Sequence, residues 1–372
     1  MRNFAKLWLT VFFSLTYCYL GVKVIPRGLP RLISFIPVVS LFLILPLNLH
    51  SVHLGGSTSF FVSWLANFKL LLLAFHRGPL SDPSLSLLQF IAIGSLPIKI
   101  QQNPPTNTQN GHSLSSTDVD KGNSISQKGK LEKKQIKRSQ MSFWAYALMG
   151  LFVTVLFRVY DYSEQIHAKL LMVIYSLHMY FMLEIMLAAV AAVVRIALGM
   201  ELEAQFDKPY LSTSLQDFWG RRWNLMVTGI LRPTVYKPVL SVASRIVSPK
   251  WAQPPAMFLT FVVSGLMHEL IFFYLDRVRP TWEITWFFLL HGACLLVEVQ
   301  MKKLATGRCR LPWWVSAPLT IGFVIATSFW LFFPVFLRCN IVVRAVHEYN
   351  SLVAFVKNVV LILSSNVWDL DD

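Results

Sequence analysis

His268 and Glu269 stand side by side in an otherwise apolar run over residues 254–276, PPAMFLTFVVSGLMHELIFFYLD. The run is long enough to cross a bilayer, which takes about 20 apolar residues. Ionisable side chains in hydrocarbon cost roughly 2.5–3.5 kcal/mol each on insertion scales, so they are kept where they face protein or a water-filled cavity and mark function. Imidazole is the side chain that changes protonation near neutral pH, which makes His268 the candidate reactive group. The plainer alternative is a neutral histidine hydrogen-bonded between helices. Glu269 is a neighbour in sequence only. On a helix it projects about 100° away from His268. Ser264, four residues back, shares the histidine's face.

A second constellation precedes this run, in ELEAQFDKPYLSTSLQDFWGRRWNLMVTGILRPTVYKPV over residues 201–239. Asp217 and Arg221 are spaced to pair on a helix. Trp219 and Trp223 share one face, and Phe218 and Arg222 another. The spacing predicts an amphipathic helix at the interface, aromatic rings in lipid and arginines toward phosphates. Asn224 closes the cluster just before an apolar stretch. A simple interfacial anchor touching lipid phosphate would carry the same pattern.

The elements that must position these residues are membrane helices. The chain has 372 residues, of which 55% are hydrophobic and 14% charged, with mean hydropathy +0.52. A soluble domain carries about a quarter charged residues. The expected fold class is therefore all-α, a polytopic membrane helical bundle of about seven to nine segments with interfacial or re-entrant pieces. Four scattered cysteines give neither a metal-site nor a disulfide spacing. The net charge of +15 fits basic cytoplasmic loops that set orientation, and a nucleic-acid partner is not expected, because the cations flank apolar spans.

Apolar segments are expected at 7–25, 32–49 and 60–75, with a short re-entrant piece at 85–98. The first is read as a retained span, since no cleavage-site pattern follows it. Lys23, Arg27 and Arg31 form a basic turn, and residues 51–56 are read as a loop. Lys69 either snorkels, faces a cavity, or marks an interfacial helix. Residues 99–140, with 8 Lys+Arg and 3 Asp+Glu and a run of Gln, Asn, Ser, Pro and Gly, are expected to be a disordered basic cytoplasmic linker. Further spans follow at 141–160, 170–198, 254–275, 282–299 and 313–336, then an amphipathic tail. This divides the chain into N-terminal membrane segments (1–98), the linker (99–140), a membrane core (141–338) and the tail (339–372). His291 and Glu298 lie on one face of their span and read as structural partners more than catalysts. His178 and Glu184 are ambiguous.

The run SLQDFWGRRWN, followed by the histidine of SGLMHEL, resembles the membrane-bound O-acyltransferases. The strings WLANFKLLLLAFHRGPLS, LPIKIQ and ELEAQFDKPYLSTSLQDFWGRRWNLMVTGILRPTVY resemble its plant wax-synthase-like branch, whose members esterify sterols and long-chain alcohols. The likeness covers nearly the whole chain and is weakest over 101–140 and the tail. It implies transfer of a fatty acyl group from acyl-CoA, as cosubstrate and without a further cofactor, to a hydrophobic alcohol in the endoplasmic reticulum membrane. His268 matches the family's active-site histidine and Asn224 its second residue.

The resemblance gives those residue types a chemistry. A neutral imidazole can take the acceptor hydroxyl's proton as it attacks the thioester, a contribution of roughly 10²–10⁴ in rate. Asn224 is a candidate oxyanion donor, and orienting His268 or the acyl chain are its other roles. Arg221 and Arg222 would hold CoA phosphates, with Trp219 and Trp223 lining the thioester entrance. A covalent Ser264 intermediate is the weaker route, since no G-x-S-x-G elbow occurs. A transporter is a second class, and a non-catalytic membrane scaffold a third. The first lacks an inverted-repeat pattern, and the second does not explain why Asn224 and His268 are both present.

Overall fold

The computed structural model describes residues 2–100, 143–200, 202–304 and 311–368. From residue 101 onward the expected linker lies outside the described residues. The described residues form helices α1 (Arg2–Val24), α2 (Leu29–Asn48), α3 (Val52–Ala74), α4 (Leu87–Ser95), α5 (Phe143–Tyr160) and α6 (Ala168–Leu198). There follow α7 (Leu225–Leu231), α8 (Lys237–Ile246), α9 (Pro249–Asp276), α10 (Glu283–Leu304), α11 (Trp313–Arg338) and α12 (Ile341–Trp368). No strand occurs among the described residues; a single bridge joins Ile100 and Leu202. Among the described residues seven helices are long and apolar enough to cross a membrane: α1, α2, α3, α6, α9, α10 and α11. The all-α polytopic class is therefore borne out. α4, at nine residues, is too short to span.

The chain forms two compact units, one of Met1–Pro97 with Lys208–Asp372, the other of Ile98–Asp207. In the smaller unit α5 and α6 meet through aromatic edges, Phe152 on Phe181 at 5.3 Å and Phe157 on His178 at 5.0 Å. Lys99 and Glu203 are ion-paired beside the bridge. His178 thus sits among rings, and Glu184 is buried.

In the larger unit, buried and half-buried charges serve as helix caps. A helix leaves its last carbonyls and first N–H groups without partners, and a membrane interior offers no water to replace them. Arg31, expected in a basic turn, is buried and donates to the carbonyls of Val22 and Ile25, which close α1, and of Leu73 near the end of α3. Lys69 neither snorkels nor lies at an interface. It is fully buried and donates to the carbonyls of Ile93 (2.5 Å) and Leu96 (2.7 Å), ending α4. Arg277 caps α2 through Pro46 and Leu49. Carboxylates take the other ends, as the helix dipole favours. Glu348 of α12 accepts from the backbone N–H of Val52 (2.5 Å) and His53 (3.1 Å). Residues 51–56, read as a loop, are therefore the Ser51-capped start of α3.

α9 and α10 pack closely because two glycines allow it. A Cβ at Gly265 would stand 3.1 Å from Thr285 Cα, and one at Gly292 would stand 3.0 Å from Phe261 Cβ. Glu269 is buried in this seam, where Oε1 accepts from the Thr285 N–H at 3.0 Å. It caps the first turn of α10, which explains an acidic residue beside His268 without a catalytic role. Phe261, Phe272, Ile284, Phe287, Phe288 and Leu295 form the core between the two helices.

Candidate active site

The segment 215–222 is not the regular amphipathic helix that its spacing suggests. Ser214 caps a short turn, Leu215–Asp217, whose N–H groups point at Glu298 of α10: Leu215 N donates to it at 2.7 Å and Gln216 N at 3.3 Å. The chain then runs as a π-turn, Phe218–Arg222, closed by Trp223 N donating to Phe218 O at 2.8 Å. Neighbours in a π-turn are five residues apart rather than four. The expected Asp217–Arg221 pair is accordingly replaced by Asp217–Arg222, with Nε 2.7 Å from Oδ2. Phe218 stacks on Trp223 at 5.3 Å and 15°. π-turns occur preferentially at functional sites.

Asn224 ends this turn in the left-handed region, φ 42° and ψ 66°. Asparagine tolerates that conformation better than most residues. It is also the N-cap of α7: Oδ1 accepts from Val227 N at 3.2 Å. Its carbonyl oxygen is thus committed to the helix, and what its side chain has left to offer is the Nδ2 amide donor.

His268, four residues after Ser264 on α9, makes one hydrogen bond that fixes its tautomer. Nδ1 lies 2.7 Å from the Ser264 carbonyl oxygen. A carbonyl only accepts, so Nδ1 carries the proton and Nε2 keeps its lone pair. Two rings hold the imidazole: Phe288 at 4.5 Å, tilted by 32°, and Trp64 of α3 at 5.2 Å, nearly perpendicular at 77°.

His268 opens onto a cavity of about 360 Å³. Its wall includes Trp219, Trp223, Asn224, Ser264, Phe288 and Arg232. Sequence-read Trp219, Trp223, Asn224 and His268 are thus brought to one cavity. Arg221 is exposed and does not line it. Arg222 is half-buried against Asp217 and donates to the Lys208 carbonyl. Arg232, in a second π-turn, Arg232–Tyr236, is the cation on the wall, and the sequence reading passed over it. Its signal was only that it is the one charge between 223 and 236. Met257, Phe261, Leu231 and Leu295 supply the apolar remainder. No cluster of metal-ligating side chains occurs among the described residues.

Residues 202–290, which hold every one of these wall residues but Leu295, match the profile of the membrane bound O-acyl transferase family. The chain is 49% identical over 358 residues to the acyl-CoA–sterol O-acyltransferase 1 of Arabidopsis thaliana, covering 95% of this chain and 96% of that one. The chain belongs to the membrane bound O-acyl transferase family. This acyltransferase is also 44% identical over 354 residues to the long-chain-alcohol O-fatty-acyltransferase of Simmondsia chinensis, with 94% of each chain covered. A probable long-chain-alcohol O-fatty-acyltransferase 3 of Arabidopsis thaliana is 44% identical over 368 residues, with 98% of each covered. The family resemblance carried by the tryptophan–arginine run and the buried histidine is borne out.

In this acyltransferase His291 is fully buried on α10. Trp219 Nε1 donates to its Nδ1 at 3.1 Å. Thr327 gives its hydroxyl proton to the carbonyls of Phe323 and Val324, so His291 Nε2–H donates to Thr327 Oγ1 at 2.8 Å. Both imidazole nitrogens are therefore used, and His291 fixes a wall residue rather than facing the cavity.

Proposed function

We propose that this acyltransferase moves a fatty acyl group from acyl-CoA to a hydrophobic alcohol, with His268 as general base. The observation that carries the proposal is the tautomer: a histidine on the cavity wall whose Nδ1–H is held by Ser264, leaving Nε2 as the acceptor. The alcohol oxygen attacks the thioester carbonyl carbon while its proton passes to Nε2. The carbonyl π electrons move onto oxygen, where the Asn224 amide would donate; one such donor is worth about 2.7–4 kcal/mol. Collapse breaks the C–S bond, and the leaving thiolate takes the proton back from His268. Trp219 and Trp223 would line the thioester's approach, with Arg221, Arg222 and the wall cation Arg232 toward the CoA phosphates.

We read the acceptor first as a sterol, by likeness to the sterol-named relative, and second as a long-chain alcohol. Membranes containing the protein, given labelled acyl-CoA with each acceptor in turn, test the assignment: the identity of the ester decides between them. The proposed residence is the endoplasmic reticulum membrane, which fractionation checks.

A further inference from the structure

A base that accepts a proton inside a membrane becomes a cation, and a buried cation needs a partner. In many acyl-transfer sites that partner is a carboxylate bonded to the imidazole. Here no carboxylate contacts His268 among the described residues: Glu269 is turned to the start of α10. What surrounds the imidazole is the Ser264 carbonyl, the Phe288 ring and the Trp64 ring. Phe288 is buried and lines the cavity, and its ring lies over the imidazole at 4.5 Å, tilted by 32°. That is within the reach at which an aromatic face attracts a cation, and the attraction grows when the pair is shielded from water. Trp64, wholly buried, closes another side of the imidazole.

We propose that Phe288 is a positioning residue whose π face, with Trp64 beside it, stabilises the His268 imidazolium formed when the acceptor alcohol gives up its proton. The Phe288 face, with the Trp64 ring beside it, stands in for the acidic partner. The neutral imidazole gains little from them, so the interaction strengthens as the transition state is approached, and such interactions raise kcat. This rests on His268 being the general base.

The test replaces Phe288 in the full-length protein, assayed in membranes, by phenylalanines carrying one, two and three ring fluorines. Fluorination drains the π face while nearly keeping ring shape. The expected result is a stepwise fall in kcat across the series, unchanged KM for acyl-CoA and normal protein accumulation. Phe288→Leu should lose about 3- to 30-fold in kcat, the range that a partly to fully desolvated cation–π contact spans. The same series at Phe272, a core ring on α9 that contacts Phe332, should leave kcat flat. A flat Phe288 series, or an equal fall at Phe272, overturns the proposal. His268→Gln separates the two claims. An inactive His268→Gln protein with a flat Phe288 series removes the π partner alone, whereas an active one removes the general base beneath it.

Discussion

The Trp219 indole N–H and His291 Nδ1 meet at 3.1 Å, tying the π-turn at 218–222 to the middle of α10. Trp219 in turn packs its ring on Phe261 and Phe288, so one hydrogen bond sets a wall that the thioester would pass. His291→Leu is expected to leave the Trp219 N–H without its acceptor and Thr327 Oγ1 without its donor, costing about 1–3 kcal/mol of stability. A lower thermal midpoint together with a raised KM for acyl-CoA would bear this out. Unchanged KM would mean that Trp219 does not depend on His291.

Asn224 caps α7, and the proposed mechanism adds a second, separable duty. Asn224→Asp keeps an oxygen for Val227 N and thus the cap of α7, but removes the amide donor. It should fold normally and lose roughly 10²–10³ in kcat, the size of one oxyanion donor. Asn224→Ala should lose the same activity and about 1 kcal/mol of stability besides. Comparing turnover with thermal midpoint for both variants checks this; an active Asn224→Asp protein would reduce Asn224 to a cap.

Gly265 permits the close approach of α9 and α10. In Gly265→Ala the added carbon meets backbone, Thr285 Cα at 3.1 Å, which cannot rotate aside. The helices must part, at a cost of about 1–3 kcal/mol, and the Glu269–Thr285 bond goes with them. Thermal unfolding in detergent should show the loss, and activity should fall because His268 rides on α9 one turn away.

Glu348 predicts a pH dependence. Burial raises its carboxyl, but hydrogen bonds from Val52 N, His53 N, the His53 ring and Ser51 together outweigh burial and hold it below its usual value. A carboxyl depressed in the folded state adds stability above its unfolded pKa, about 4.3, and that stability is lost as pH falls through the lower folded value. Glu348→Gln should therefore lower the thermal midpoint at pH 7, with the gap to wild type narrowing below about pH 4.3. A constant gap would contradict this.

Lys99 and Ile100, expected to begin the linker, are instead tied to Glu203 and Leu202, and we propose that residues 101–140 act as a passive linker. Deleting 101–135 should leave esterification within about twofold, since segments of this composition cannot bury a core; a complete loss would rule the proposal out.

The sequence made some of this legible. A long apolar run interrupted by His268 identified the span and the histidine on the cavity wall, because hydrocarbon makes any ionisable residue conspicuous. The tryptophan–arginine run identified the neighbouring wall. What stayed hidden depends on contacts far apart in the chain. Lys69 reads as snorkelling, facing a cavity or interfacial, and Arg31 as part of a basic turn, because the Ile93, Leu96 and Leu73 carbonyls that they reach lie far away in the chain. Regular helical spacing pairs Asp217 with Arg221, but the π-turn adds one residue and delivers Arg222 instead. Arg232 reaches the wall through another such turn, which no periodicity announces. The His268 tautomer is invisible to sequence, since it depends on which carbonyl lies within 2.7 Å of Nδ1.

Ester formation by membranes bearing wild-type protein or His268→Ala, supplied with labelled acyl-CoA and a sterol or a fatty alcohol, tests the central claim most directly. The account expects ester from wild type alone, with the variant accumulating to the same level. Wild-type rates from a normally accumulating His268→Ala protein would contradict it.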